Sequence, residues 1–282
     1  MSDQTSNDPF TVVYATDLAE GEEVAFEHAL AVAGRAGGVL HVVHAGGEGE
    51  RDAVRGMPEA DPLLERWRGA GGDFDASGQS SLEVKSLVHT CCDDPVDTLL
   101  DAVAEIGPDL IVVGKHSRTE VGGFFHDSVS ESLARNLDVP TLFVPLEAEG
   151  FVDGETGGVG IERVVIPAVD QATLLEALQQ TRALMERLGR PDVEYIFLHA
   201  GEERELEQAF VPETDPQLSW QTRQEEGPLH EAIAEVCQEQ DVDLVAMGTR
   251  GHDSLADVFR GSRTERVVRG AACPIFSIPL HD

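Results

Sequence analysis

Lysine is nearly missing from this chain of 282 residues. Lys85 and Lys115 are the only two, arginine supplies the rest of the 20 basic side chains, and 53 aspartates and glutamates bring the formal net charge to −33. A carboxylate coat of this density argues against direct nucleic-acid binding, because phosphate backbones are held by basic patches. It also suggests a halophile, since carboxylates that repel one another in dilute buffer are screened to within about 3 Å in molar salt. Cysteine is scarce too, with Cys91, Cys92, Cys237 and Cys273. Four are too few for a disulfide framework, and a reducing compartment is expected. No run approaches the roughly 18 apolar residues of a membrane span, and Met1 to Pro9 is polar and acidic rather than signal-like, so a cytoplasmic protein without membrane contact is expected. The 41% apolar content is globular, and the length suggests two domains.

Glycine is the residue whose placement carries most information. Met247-Gly248-Thr249-Arg250-Gly251, then nine residues, then Gly261-Ser262, follows the apolar run Val242 to Met247 and precedes a helical pattern over Ser262 to Arg269. Glycines at a strand's carboxyl end and at a helix N-terminus let backbone N–H groups reach an anion, and the helix end adds partial positive charge. Ser262 adds a hydroxyl. A Gly-x-x-Gly by itself is equally at home as a plain turn.

The unit occurs twice. Asp109 to Gly114 (DLIVVG) stands 134 positions before Asp243 to Gly248 (DLVAMG), and the pairs Ser128/Ser262, Pro140/Pro274 and Pro145/Pro279 keep that offset. Upstream, Val12 to Asp17 matches Val164 to Asp170, and Val42 to Ala45 matches Phe197 to Ala200, at offsets near 153 to 155. This is an internal duplication in which the first copy carries about twenty extra residues.

Both copies resemble the universal stress protein family, whose nucleotide-binding members carry Gly-x-x-Gly, nine residues, then Gly-Ser/Thr. Asp243 to Gly251, Gly261 to Val267 and the Cys273-Pro274-Ile275 strand start are similar to that pattern nearly letter for letter. The first copy departs from it, with Ser117 at the second glycine and Asp127 at the third. The resemblance implies two tandem Rossmann-like α/β domains, each a five-stranded parallel sheet of order 3-2-1-4-5 flanked by helices. It implies ATP or a related adenine nucleotide, accompanied by Mg²⁺, in the second domain. The site residues it implies are Ala168, Val169, Asp170, Ala200, Met247, Gly248, Arg250, Gly251, Gly261, Ser262 and Arg263. Asp170 would lie beside adenine and ribose, Val169 and Ala200 near the base, and Arg250 and Arg263 near the phosphates. An aspartate between strand and helix is just as natural as an N-cap, the role preferred for Asp17 in the first copy.

Local charge separates the copies. Gly248 to Arg269 holds five arginines against three carboxylates, a balance of +2, whereas Gly114 to Arg135 is neutral. Arg266 and Arg269 read as ordinary solvated helix residues.

The remaining pattern gives strands over 11–16, 39–44, 82–89, 110–114 and 141–144 and helices over 22–34, 95–106 and 128–137 in residues 9–146. Residues 46–81 read as an elaborated surface loop with a short helix over 62–68, and residues 147–160, with five glycines and four acidic residues, as the interdomain linker. Residues 161–282 give strands over 163–167, 193–199, 219–224, 242–247 and a last one over 275–278, with helices over 174–188, near 205–210, over 229–240 and over 262–269. The two last strands, 141–144 and 275–278, are apolar edges that pairing with each other would cover. An intramolecular pseudo-dimer is therefore expected, with homodimerisation permitted but not required.

No Walker loop or Gly-x-Ser-x-Gly elbow is present, His89-Cys91-Cys92 and His41-His44 are poor metal sets, and no acid–base pair stands out. Catalysis is not implied. A nucleotide hydrolase or adenylyl-transfer relative on the same fold, and a ligand-free interaction scaffold, are the alternatives to a nucleotide-binding regulator.

Overall fold

The computed structural model describes residues 8–45, 51–71, 82–89, 95–115, 139–148, 150–201, 218–250 and 273–280. The helices expected over 128–137, near 205–210 and over 262–269 lie outside the described residues. The strands are β1 (Thr11–Thr16), β2 (Val39–Ala45), β3 (Glu83–His89), β4 (Leu110–Lys115), β5 (Thr141–Pro145), β6 (Arg163–Pro167), β7 (Glu194–Ala200), β8 (Ser219–Glu225), β9 (Leu244–Arg250) and β10 (Ile275–Leu280). They form one sheet of order β3-β2-β1-β4-β5-β10-β9-β6-β7-β8. Each half has the 3-2-1-4-5 order with parallel neighbours, and this is a tandem Rossmann-like α/β fold.

Alternation along the strands builds two cores, one on each face. Val12, Tyr14, Leu40, Val42, Val164, Ile166 and Phe197 point to one face, where α1 (Glu23–Arg35), α2 (Ala60–Gly69) and α4 (Gln171–Arg187) lie. Val13, Ala15, Val43, Val165, Ile196 and Leu198 point to the other, beside α3 (Pro95–Ile106) and α5 (Leu229–Glu239). A sheet covered on both sides explains the unbroken apolar runs of β1, β4 and β9. In α1, Ala25, Phe26, Ala29, Leu30, Ala31, Val32, Ala33 and Gly34 are all buried, because other chain segments cover its outer side.

The halves meet where β5 and β10 pair antiparallel, with Ile275 opposite Phe143, Phe276 opposite Leu142 and Ser277 opposite Thr141. Leu142 and Phe276 are equivalent positions at the repeat offset of 134, so the ladder is centred on a residue and its own counterpart. Both apolar edges are thereby removed from solvent.

Two segments that read from sequence as surface turn out to be core. The insertion forms a 3₁₀ turn over Arg51–Gly56 and then α2, ten residues long, with Pro62 tolerated in its first turn. Its Trp67 is wholly buried. Residues 150–161 fold back on themselves, Val152 bridging Val159, and bury Phe151, Val152, Val159 and Ile161. The turn is tied by Asp153, whose carboxylate accepts from the Glu155 and Thr156 amides at 2.9 and 2.8 Å. Trp67 Nε1 donates to Gly154 O at 3.0 Å, and Gly157, at φ +68°, lies so close to the indole that a Cβ would sit 2.5 Å from it. His28 joins α1 to the same segment: Nδ1–H donates to Val24 O at 2.6 Å and Nε2 accepts from the Phe151 amide at 3.0 Å. That pattern requires a neutral ring, and burial lowers its pKa to about 4. Trp67→Phe should keep most of the apolar burial but lose the indole bond, lowering stability by about 1–2 kcal/mol in urea unfolding.

Candidate functional site

The carboxyl ends of β9, β6 and β7 lie side by side, and the connection from β6 runs to β7 on one side while that from β8 crosses to β9 on the other, the position where α/β sheets open a crevice. Between β6 and β9 the ladder stops early. Val164 pairs with Leu244 and Val165 with Val245, while the equivalent β1–β4 ladder runs two residues further, through Tyr14–Val112 and Ala15–Val113. Successive residues of a strand bond to opposite neighbours. Ala168 N–H bonds toward β7, to Leu198 O at 2.8 Å, so the Pro167 position faces β9, and proline has no hydrogen to give. In the first copy Ala15 occupies that position.

Asp170 is the N-cap of α4. Its Oδ1 accepts from the Thr173 amide at 3.0 Å and its Oδ2 from the Thr173 hydroxyl at 2.8 Å. The capping alternative is therefore realised. Thr173 in turn lies against Gly248: a Cβ there would be 2.9 Å from Thr173 Cγ2 and 3.2 Å from Thr173 O. Gly248 is not at the strand end, as the sequence suggested, but inside β9, in register with Ile278, because β10 continues to Leu280 and carries the ladder on to Arg250. Its lack of a side chain is what allows the first turn of α4 to approach the sheet. Thr249 is buried, its hydroxyl donating to Ile278 O at 3.1 Å.

Asp170 and Gly248 are thus brought together through Thr173. Met247 is buried in the core on the other face of the sheet, beside α5, while Ala168 and Ala200 are half-buried and Val169 is 68% exposed. Arg250 ends β9. Gly251, Gly261, Ser262 and Arg263 lie outside the described residues. Among the described residues no cluster of three His, Cys, Asp or Glu side chains offers a metal site.

Sequence reading missed one shared device. His44 Nδ1–H donates to Thr16 O at 2.9 Å, and His199 Nδ1–H approaches Ala168 O at 3.3 Å, so a buried histidine from the second strand of each copy steadies the carbonyl that follows or ends the first strand. The common His-Ala ending of both second strands was the available signal.

The first copy fills the corresponding place differently. Asp17 does not cap α1; its Oδ1 accepts from the Ala19 amide at 2.9 Å in a local turn, and Glu22 occupies the N-cap position. The longer connection, with Leu18 at φ +63°, swings the Glu22 carboxyl inward. There it accepts hydrogen bonds from the Thr16 and Tyr14 hydroxyls beside a cleft of about 240 Å³. Burial raises the Glu22 pKa to about 8, the Thr16 bond opposes this, and the Asp17 charge adds to it. A glutamate is neutral below its ordinary 4.5 in either state, so stability present below that value is lost progressively as pH rises to about 8. Glu22→Gln should flatten this slope and gain on the order of a few kcal/mol at pH 8, measured by denaturant unfolding across pH 4.5 to 8.

Comparison with known proteins agrees with this fold. The model of the universal stress protein family matches residues 10–145 and 162–279. A universal stress protein of Methanothermobacter thermautotrophicus is 33% identical over 72 residues, which is 26% of this chain and 49% of that protein. One from Thermus aquaticus is 36% identical over 53 residues, 19% of this chain and 39% of its own. The matched segments thus span less than half the length of these relatives. The crystal structure of a universal stress protein from Archaeoglobus fulgidus superimposes with a TM-score of 0.62 at 19% identity, covering 95% of this chain and 98% of that one. With the family pattern matched in both halves and the sheet order repeated in each, this chain belongs to the universal stress protein family.

Proposed function

We propose that the protein is a stress-response regulator that binds ATP or a related adenine nucleotide in residues 161–282, while residues 9–146 have lost that capacity. The carrying observation is the early end of the β6–β9 ladder at Val165 and Val245, on the strand whose last residues open the glycine motif in sequence. The opened crevice would take the base and ribose against Val169, Asp170 and Ala200. The phosphates would lie over Gly251, Gly261 and Ser262, within reach of Arg250 and Arg263. Exposure of Val169 fits a side chain that a planar base would cover. Asp170 is already committed to Thr173, so its part is to hold the α4 turn against Gly248 while presenting its outer edge to the ribose. Mg²⁺ would be held mainly by phosphate oxygens and water, which suits a hard ion that sheds its hydration reluctantly.

The first copy supports the contrast. Its ladder stays closed through Ala15, and Asp127 replaces the third glycine. The symmetric β5–β10 register fits a fused pseudo-dimer, with residues 147–160 as the connection between two domains of one cytoplasmic protein.

Mass spectrometry of small molecules released on denaturation tests the reading most directly. An adenine nucleotide in near-stoichiometric amount is the expected result. Absence of a nucleotide, together with no heat on titration with ATP and Mg²⁺ in high salt, would favour the scaffold alternative. Turnover of labelled ATP well above the background of a Gly261 variant would favour a hydrolase.

A further inference from the structure

Cys237 on α5 and Cys273 at the entry to β10 lie with their sulfurs 3.9 Å apart, both reduced and both buried. The duplication supplies an internal reference for this pair. At the repeat offset of 134, Cys237 corresponds to Val103 on α3 and Cys273 to Val139 before β5, and Val103 and Val139 belong to the equivalent apolar core. Packing alone is therefore satisfied by two valines, and in the second copy both members of the contact are exchanged for thiols.

We infer that Cys237 and Cys273 form a reversible intrachain disulfide under oxidising stress. A disulfide needs its sulfurs about 2.05 Å apart, so from 3.9 Å the two thiols must approach by about 1.9 Å for the bond to form. With a peroxide as the oxidant, one thiol sulfur attacks the O–O bond and becomes a sulfenic acid, releasing water. The second sulfur then attacks the sulfenic sulfur, forming the S–S bond and releasing a second water. Two thiols are oxidised, one peroxide is reduced, and the protons leave with the oxygens.

The Cys237 thiol beside it and burial hold the Cys273 pKa above its usual range, so the reactive thiolate is scarce and oxidation is slow unless a strong oxidant is present. The bond would close a loop containing β9 and the whole glycine motif, residues 238 to 272. The pairing follows from thiol geometry and does not depend on nucleotide binding.

The test is hydrogen peroxide treatment of the intact protein in high salt, alkylation of remaining thiols, and peptide mapping without reductant. The expected product is a cross-linked peptide pair containing Cys237 and Cys273, about 2 Da lighter than the reduced sum and released by dithiothreitol. Cys237→Val, which installs the first copy's own residue, should abolish the link while leaving the melting curve of the reduced protein nearly unchanged. Recovery of both residues as alkylated thiols, or their capture by Cys91 or Cys92 instead, overturns the inference.

Discussion

Replacing Gly261 with aspartate should lower affinity for ATP by tenfold to a thousandfold. The substitution installs in the second copy the residue that the first already carries at Asp127. It places a carboxylate where a phosphate would lie and a Cβ where backbone N–H groups must approach. Two like charges about 4 Å apart repel by about 1 kcal/mol in water and about 4 kcal/mol at an intermediate dielectric, before any lost N–H contact is counted. Calorimetry with ATP and Mg²⁺ in high salt provides the measurement. Asp127→Gly is the matching control and should change little, because Ser117 still departs from the motif and the β1–β4 ladder remains closed. If Gly261→Asp binds as tightly as the parent, the phosphates lie elsewhere.

The second large effect concerns salt. The thermal midpoint should rise steeply between low and molar KCl, on the order of ten degrees, as the screening length falls from about 30 Å at 0.01 M to about 3 Å at 1 M. The 53 carboxylates outnumber the 20 basic side chains by 33. Ion pairs such as Arg66 with Glu27 at 2.9 Å and Arg223 with Glu225 at 2.8 Å each keep one exposed partner. Such pairs contribute roughly 0–1 kcal/mol each and cannot offset a surplus of this size. A midpoint insensitive to KCl between these limits would falsify the halophilic reading of the surface.

Much of the fold was determined by the sequence alone. Apolar runs bounded by glycine, proline and acidic residues located the eight inner strands within a few residues, since a doubly covered strand must be apolar on both faces. The duplication then assigned the same sheet order to both halves, because equivalent runs form equivalent structure. The family, and the contrast between the Gly251 and Gly261 motif and its degenerate partner, were likewise visible in residue identity.

Tertiary structure decided what depends on which surfaces meet. Trp67 sits in a segment whose composition is that of a loop, and it is buried only because residues 150–161 fold over it. Asp17 and Asp170 look alike in sequence, yet only Asp170 caps a helix. The connection before α1 is longer, and it brings Glu22 to the helix start instead. Gly248 lies within β9 and not at its end, because the partner strand β10 is long enough to carry the ladder onward. The opening between β6 and β9 could not be read from Pro167 alone, since a proline is harmless on the side of a strand that needs no donor. Only the pairing of Ala168 with Leu198 shows that Pro167 faces β9. Local pattern fixes periodicity, and contacts between distant segments fix which atoms are left to bind a ligand.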